Sequence, residues 1–578
     1  MLESELPELP TPSPAIVTRL AARQLPRWVL LLLGLFYVLP GLLGRQPWRG
    51  PELASFGVML DMVNGSGNWL QPQLLGEPAA VQAWLPYWLG AGFIELLPFL
   101  PAELAARLPY GLLLGLSLAC TWYAAYHLAR LPAAQPVAFA FGGEADPVDY
   151  ARALADAALL ALVASLGLAQ LAHETTPDAA QLACAALLLY ACARLASPQA
   201  KWRWFSALSW WLATVGLALS GAPWIGLVLG GGWLLWSLAG ICRAGLSTPR
   251  TDLALLAFCA SGTVLAALLA WQFELPRRLE QLGNWAAWID FEHWRSFARL
   301  LLWFSWPAGL LALLSLWRWR KQWRCAHLML PMWFALVATA SCWLLGASDR
   351  ALLLALPALA CLTAFAMPTL SRSVTALVDW FALIFFSGCA VVIWFYWIAM
   401  LTGMPQRPAA NVLRLLPGFR PELDWTLLLP ALLGSVAWLG ALGWRLGRYR
   451  PALWKGLVLS AGGSSLCWLL LMTLWLPALN YGMGQEPISR RIAALVPAGS
   501  CLLVHGLNES QLVGLQHHGQ LRLERARKGQ RSDCQLLVVE PGAQDTLAQT
   551  LDLSQWRALR KVPRLRENRD GLQVYQRR

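Results

Sequence analysis

Apolar runs near or above the roughly 18 residues needed to cross a bilayer recur along most of this chain, from Trp28–Gly44 to Leu457–Leu476. Inside hydrocarbon such a run can satisfy its own backbone groups only as a helix, so the fold class is an α-helical polytopic membrane protein. A single soluble core is excluded, because 57% of the residues are apolar and only 13% are charged.

Counting runs predicts about thirteen crossings, centred near residues 36, 118, 161, 188, 212, 232, 262, 308, 336, 360, 390, 434 and 466. Arg19, Arg23 and Arg27 precede the first run and no small-residue cleavage site follows it, which predicts a retained first helix and a cytoplasmic amino terminus. An odd count then puts the carboxy terminus on the periplasmic side. The loops assigned to the cytoplasm carry Arg194, Lys201 and Arg203, then Arg318 to Arg324, then Arg445 to Lys455, as the positive-inside rule requires. Topology therefore accounts for most of the net charge of +13, and no basic domain for nucleic acid is present.

The expected organisation is a cytoplasmic segment 1–27, a transmembrane domain 28–477 and a periplasmic α/β domain 478–578. Residues 45–105, 272–298 and 403–423 and the tail fall on the outer face. In the first of these, Pro51–Val63 and Trp84–Leu100 read as helices lying at the interface. The tail alternates short β-type runs with a helical one. Ten of the twelve cysteines lie in or beside apolar segments as packing residues. Cys501 and Cys534 instead open the strand-like CLLVHG and CQLLVVE, and in an oxidising periplasm neighbouring strands could be bridged there.

Outer-face carboxylates are few. Glu52 follows the first crossing in RGPEL, and Asp178 starts the fourth in HETTPD; either also suits the first turn of a helix, where the dipole favours it. Outer-face arginines, among them Arg45, Arg49, Arg107, Arg277, Arg278 and Arg350, run against the positive-inside trend and as a set suggest an anionic ligand such as a lipid phosphate. Singly, each suits headgroup contact from a helix end. His517 and His518 are adjacent on an expected helix, where neighbours do not share a face, and no CxxC or HExxH spacing occurs. A divalent metal held by carboxylates and phosphate would leave no such signature.

The first outer loop, RGPELASFGVMLDMVNGSGNWLQPQLLGEPAAVQAWLPYWLGA followed by ELAARLPYGLLLGL, resembles the opening of the protein O-mannosyltransferase-like superfamily, most closely the bacterial branch that includes the aminoarabinose transferases of lipid A. SGNW (66–69), GEP (76–78) and ARLP (106–109) stand in the family's order. TPD (176–178), FSWP (304–307) and SDRALLLALPALA (348–360) resemble its later motifs.

The resemblance implies a GT-C-type inverting glycosyltransferase of the bacterial inner membrane. Its donor would be an undecaprenyl-phosphate sugar, and its acceptor lipid A or another envelope glycan. Glu52 would be the second member of the family's acidic pair, Asp178 its second acidic motif and Arg107 the arginine of ARLP. Such transfer needs a carboxylate to take the acceptor proton, cations for the departing phosphate and a groove for the isoprenoid. Three segments depart from the pattern: Pro51 stands at the first acidic position, Val81 and Gln82 replace a glutamate and a lysine, and SGAP (220–223) lacks a lysine. Those departures also suit a catalytically lapsed relative that binds a lipid-linked sugar or scaffolds a partner enzyme. A transporter would need intramembrane polar residues or broken helices near the midplane, which are scarce in runs that carry mostly Ser, Gly, Thr and Trp.

Overall fold

The computed structural model describes residues 13–48, 50–65, 67–197, 202–244, 250–272, 291–344, 348–447, 452–497, 499–527, 532–563 and 571–578. Arg49, Arg277 and Arg278 lie outside the described residues, as does most of the outer segment 272–298. Each of the expected crossing centres falls on a helix. Among the described residues, six helices are long and apolar enough to cross a membrane, or up to eight if each of two bent pairs is one span.

Two crossings differ from their expected form. The first apolar run gives helix α1 (Arg27–Val38) of only 12 residues, because Pro40 and then Gly41, at φ +85°, end it early. The crossing centred near residue 308 is two helices, Phe291–Phe304 and Ala308–Arg318, bent by 95° at the SWP step.

Helix α2 (Pro51–Val63) and helix α3 (Leu85–Leu96) form the first outer loop. α2 is enclosed on nearly all sides, with Glu52, Ser55 and Asp61 buried as well as its apolar residues. It is therefore an inner element of the protein, where the sequence suggested a helix with one face on the bilayer surface. Between α2 and α3, strands β1 (Gln73–Leu74) and β2 (Glu77–Pro78) make a small hairpin, turning through Leu75 and Gly76 at positive φ.

Helices α4 (Ala102–Ala129), α5 (Pro147–Ala164) and α6 (Pro177–Leu195) build the centre of the helical body. α5 is capped by Asp146, whose carboxylate accepts from the Val148 amide at 2.8 Å. From Tyr150 on it is buried almost all round, and its many alanines let neighbours approach closely. Helices α7 (Arg372–Thr402) and α8 (Lys455–Leu471) pack together beside it.

The step to the tail falls at Gly484: helix Leu476–Met483 packs on the helical body, and helix Glu486–Ala493 packs on the tail sheet through Ile492. That sheet contains β3 (Leu502–His505), β4 (Leu523–Arg525), β5 (Leu536–Val539), β6 (Trp556–Val562) and β7 (Leu572–Arg577), in the order β4-β3-β5-β7-β6. β3 and β5 are its parallel centre, in register Leu502 to Leu536. Their continuous apolar runs suit strands covered on both faces. Cys501 and Cys534, just ahead of these two strands, are joined by a disulfide.

Helix α9 (Glu509–His517) opens on a capping box of Asn508 and Gln511 and lies against α2. A Cβ on Gly57 would come within 2.1 Å of Val513, so this glycine is needed for the approach, while one on Gly514 would come within 2.6 Å of Gln485 at the start of helix Glu486–Ala493. The contact is fastened by polar pairs. Gln516 donates to Asp61 at 3.3 Å, the Ala80 amide donates to Glu509 at 3.2 Å, and Arg525 pairs with Glu77.

Candidate active site

The start of α2, the loop before α6 and the start of helix Asp349–Leu353 meet at the end of the helical body that carries the tail. Pro51 opens α2, and Glu52 sits in its first turn, where a carboxylate interacts well with the helix dipole. Glu52 is only 2% exposed and forms an ion pair with Arg45, itself wholly buried. The Trp48 amide donates to Glu52 Oε2 at 3.0 Å, and the Thr175 amide to Oε1 at 3.3 Å. Both oxygens are thus occupied by hydrogen-bond donors.

Arg45 donates also to the His173 carbonyl at 3.0 Å, and its guanidinium lies 4.6 Å over the Trp48 ring. Arg107, on the first turns of α4, donates to the Arg45 carbonyl and to the Leu42 carbonyl, the latter at 3.3 Å. Nε and Nη1 of Arg45 and Nε and Nη2 of Arg107 are buried without a hydrogen-bond partner. Four orphaned donors on two buried cations are costly unless an anion meets them.

A second cluster adjoins the first. Arg350 donates to Glu174 at 2.6 Å and to Asp178 at 3.2 Å, so its charge is shared between two carboxylates. Gln170 adds a donor to Glu174 at 3.2 Å. Burial, and next the nearby Glu52, raise the pKa of Glu174 above the usual carboxylate range. Asp178 and Arg350 are each 23% exposed at the side chain, so this cluster is reached from outside while Glu52 is not.

His173 lies between the clusters with its two ring nitrogens facing the carbonyls of Ala169 and Tyr37, the latter at 2.9 Å. Burial pushes its pKa down to about 4, so the neutral ring donates to one carbonyl only. Its ring lies 4.6 Å from that of Trp468.

Trp468 and Ala169 also line an apolar cavity of about 560 Å³ between α7 and α8, with Phe385, Phe386, Ile393 and Leu471 among its walls. A greasy chamber and a buried cationic site therefore share a wall. One end can take an acyl or isoprenoid chain and the other an anionic head.

The crystal structure of ArnT from Cupriavidus metallidurans bound to undecaprenyl phosphate superposes with a TM-score of 0.60 at 16% identity, over 95% of this chain and 98% of that one. This chain has the ArnT fold. Apo ArnT from the same organism gives a TM-score of 0.57 at 16% identity, over 95% and 97%. No protein-family model matches the chain, and no curated protein matches it in sequence. The shared ArnT fold is the GT-C-type architecture that the order of the short motifs implied.

Of the residues singled out from sequence, Glu52 and Arg107 meet around Arg45, and Asp178 and Arg350 meet around Glu174. Arg45, one of the outer-face arginines, and Glu174, the glutamate of HETTPD, join them as partners. Their signal was spacing: Arg45 stands seven residues before Glu52, and Glu174 four before Asp178 at a helix start. Gln82 donates to the Ala79 carbonyl at 2.8 Å, so the position that departs from the family's lysine holds the loop together.

Among the described residues, two groups of side chains are close enough to hold a metal ion. Cys501, Glu524 and Cys534 form one, but its sulfurs are consumed by the disulfide. Glu103, His517 and His518 form the other, in the contact between α4 and α9.

Proposed function

We propose that the protein is a membrane glycosyltransferase that moves a sugar from a polyprenyl-phosphate donor to lipid A or another envelope glycan at the periplasmic face of a bacterial inner membrane. The observation that carries this reading is the set of orphaned guanidinium donors of Arg45 and Arg107 beside the apolar chamber. The ArnT fold, with undecaprenyl phosphate bound in one ArnT structure, is consistent with a lipid phosphate there.

In this reading the isoprenoid enters the chamber, and Arg45 and Arg107 receive the phosphate. The acceptor hydroxyl attacks the anomeric carbon, the bond to the phosphate oxygen breaks, and its electron pair leaves on the phosphate. Asp178 takes the hydroxyl proton, oriented by Arg350. Glu52 holds Arg45 in place and does not touch the acceptor. The active-site groups need no metal for these roles, and a divalent ion remains compatible with phosphate binding.

The lapsed-relative reading is favoured by one observation: Glu52 is locked by three donors and Gln82 by the loop, so two positions the family uses for chemistry serve structure here. An in vitro transfer assay with polyprenyl-phosphate sugars and envelope acceptors decides between them. Turnover by wild type that Asp178→Asn abolishes supports transfer. Tight binding of undecaprenyl phosphate without turnover of any donor supports the lapsed relative.

A further inference from the structure

The contact between the tail and the helical body contains polar groups that transfer chemistry does not use. Glu103 sits in the first turn of α4, and its Oε1 lies 3.1 Å from Nε2 of His517, the last residue of α9. His518 follows His517 as the C-cap residue of α9, its backbone still right-handed helical at φ −82° and ψ −29°. Their rings are 4.9 Å apart. One ligand atom from each of the three residues lies within 4.8 Å of the others.

A hydrogen bond between Glu103 and His517 leaves His518 unexplained. Its Nε2 is buried and has no hydrogen-bond partner, an unfavourable state for an imidazole nitrogen. The charged groups around it are Glu103, His517, Glu486 and Arg490, with Arg107 facing Glu103. Arg490 is ion-paired with Glu486, so its charge is largely neutralised where it faces the ring.

We propose that Glu103, His517 and His518 form a zinc-type metal site that fastens the carboxy-terminal domain to the helical body. A tetrahedral ion with bonds of about 2.0–2.1 Å to nitrogen and oxygen holds its ligands roughly 3.3 Å apart, close to the Glu103–His517 separation. Two imidazoles and one carboxylate are a donor set that zinc accepts, with water in the fourth position. The surrounding contacts hold the ligands in place. Phe56 meets the His517 ring edge-on at 5.1 Å, Gln516 is tied to Asp61, and Gly57 sets the distance of α9 from α2. Such pre-orientation of ligands favours binding over rearrangement.

Adjacent histidines carry no metal signature in sequence, because a helix sets neighbouring residues on different faces. Here the two rings lie 4.9 Å apart at the end of α9, and the third ligand comes from a segment more than 400 residues away.

The test uses the full chain in detergent, purified through a tag without histidines and stripped with a chelator. It is then titrated with Co²⁺ as a spectroscopic probe and with Zn²⁺ in competition. The expected result is one Co²⁺ per chain with the intense visible absorption of a four-coordinate nitrogen–oxygen site, displaced by one Zn²⁺, and a higher unfolding temperature with metal than without. Glu103→Gln keeps the hydrogen bond to His517 and His518→Gln keeps a polar side chain of similar reach. Each is expected to weaken Zn²⁺ binding by at least about tenfold while leaving the metal-free unfolding temperature unchanged. Wild type that takes up no Co²⁺, or binding that persists undiminished in both variants, overturns the proposal.

Discussion

Replacing Glu52 by glutamine tests whether this carboxylate is a structural anion. The substitution keeps the shape of the side chain but removes the charge facing Arg45, and it turns an NH2 group toward either the guanidinium or a backbone amide. Breaking one side of a buried ion pair typically costs about 3–5 kcal/mol, because the remaining charge stays in a place it cannot leave. At 2% exposure Glu52 belongs in that class and not among surface pairs worth about 1 kcal/mol or less. Thermal unfolding in detergent, followed by tryptophan fluorescence, should therefore show a loss of several kcal/mol for Glu52→Gln and a similar one for Arg45→Met. Replacing both partners together, Arg45→Met with Glu52→Leu, should cost clearly less than the two single losses combined, since no buried charge is then left unpaired. Added undecaprenyl phosphate should restore part of the loss in Glu52→Gln, by about 2.7 kcal/mol at one hundred times its dissociation constant. Single variants within about 1 kcal/mol of wild type, or losses that simply add in the double variant, would refute the account of Glu52 as a fixed counter-ion.

Asp178→Asn should lower the transfer rate about 100-fold or more, with little change in unfolding temperature, because this carboxylate is partly exposed; steady-state kinetics on folded protein checks this. Arg350→Met should be least stable at alkaline pH and recover on acidification. The folded-state pKa of Glu174 is already raised, so its favourable contribution is present at low pH and lost as pH rises through that value, as unfolding from pH 5 to 8 would show. Replacing Cys501 and Cys534 by serine should cost the tail about 3–4 kcal/mol, the entropy of a loop with a sequence separation of 33, measured by denaturant unfolding. Gly57→Ala should loosen α9 from α2, since its Cβ would lie 2.1 Å from Val513. Overpacking of about 1–3 kcal/mol should appear as faster proteolysis within the tail.

The helical crossings were legible because an apolar run of bilayer length leaves the backbone few alternatives, and every expected centre lies on a helix. Their ends were not: Pro40 shortened α1, and the SWP step bent a run whose composition alone reads as continuous. The two central strands of the tail were visible in CLLVHG and CQLLVVE. The burial of α2 was not, because its covering surfaces come from α3, α4 and α9, the last some 450 residues further along. Sequence alone puts Glu52 and Asp178 on one face. That one is locked among donors and the other left accessible depends on Arg45, Thr175 and Arg350, whose positions only the packed helices define.

Helix α2 carries Glu52 at its first turn, Gly57 at its middle and Asp61 toward its end, and the last two are the points where the tail rests on it. Its 13 residues form a rod of about 20 Å, buried on almost every side and therefore unable to bend away from a load. A tilt or slide of the tail displaces the whole rod, and with it the anion that keeps Arg45 in register. The buried cationic site and the seating of the tail thus share one mechanical member, so that a displacement of either is passed to the other.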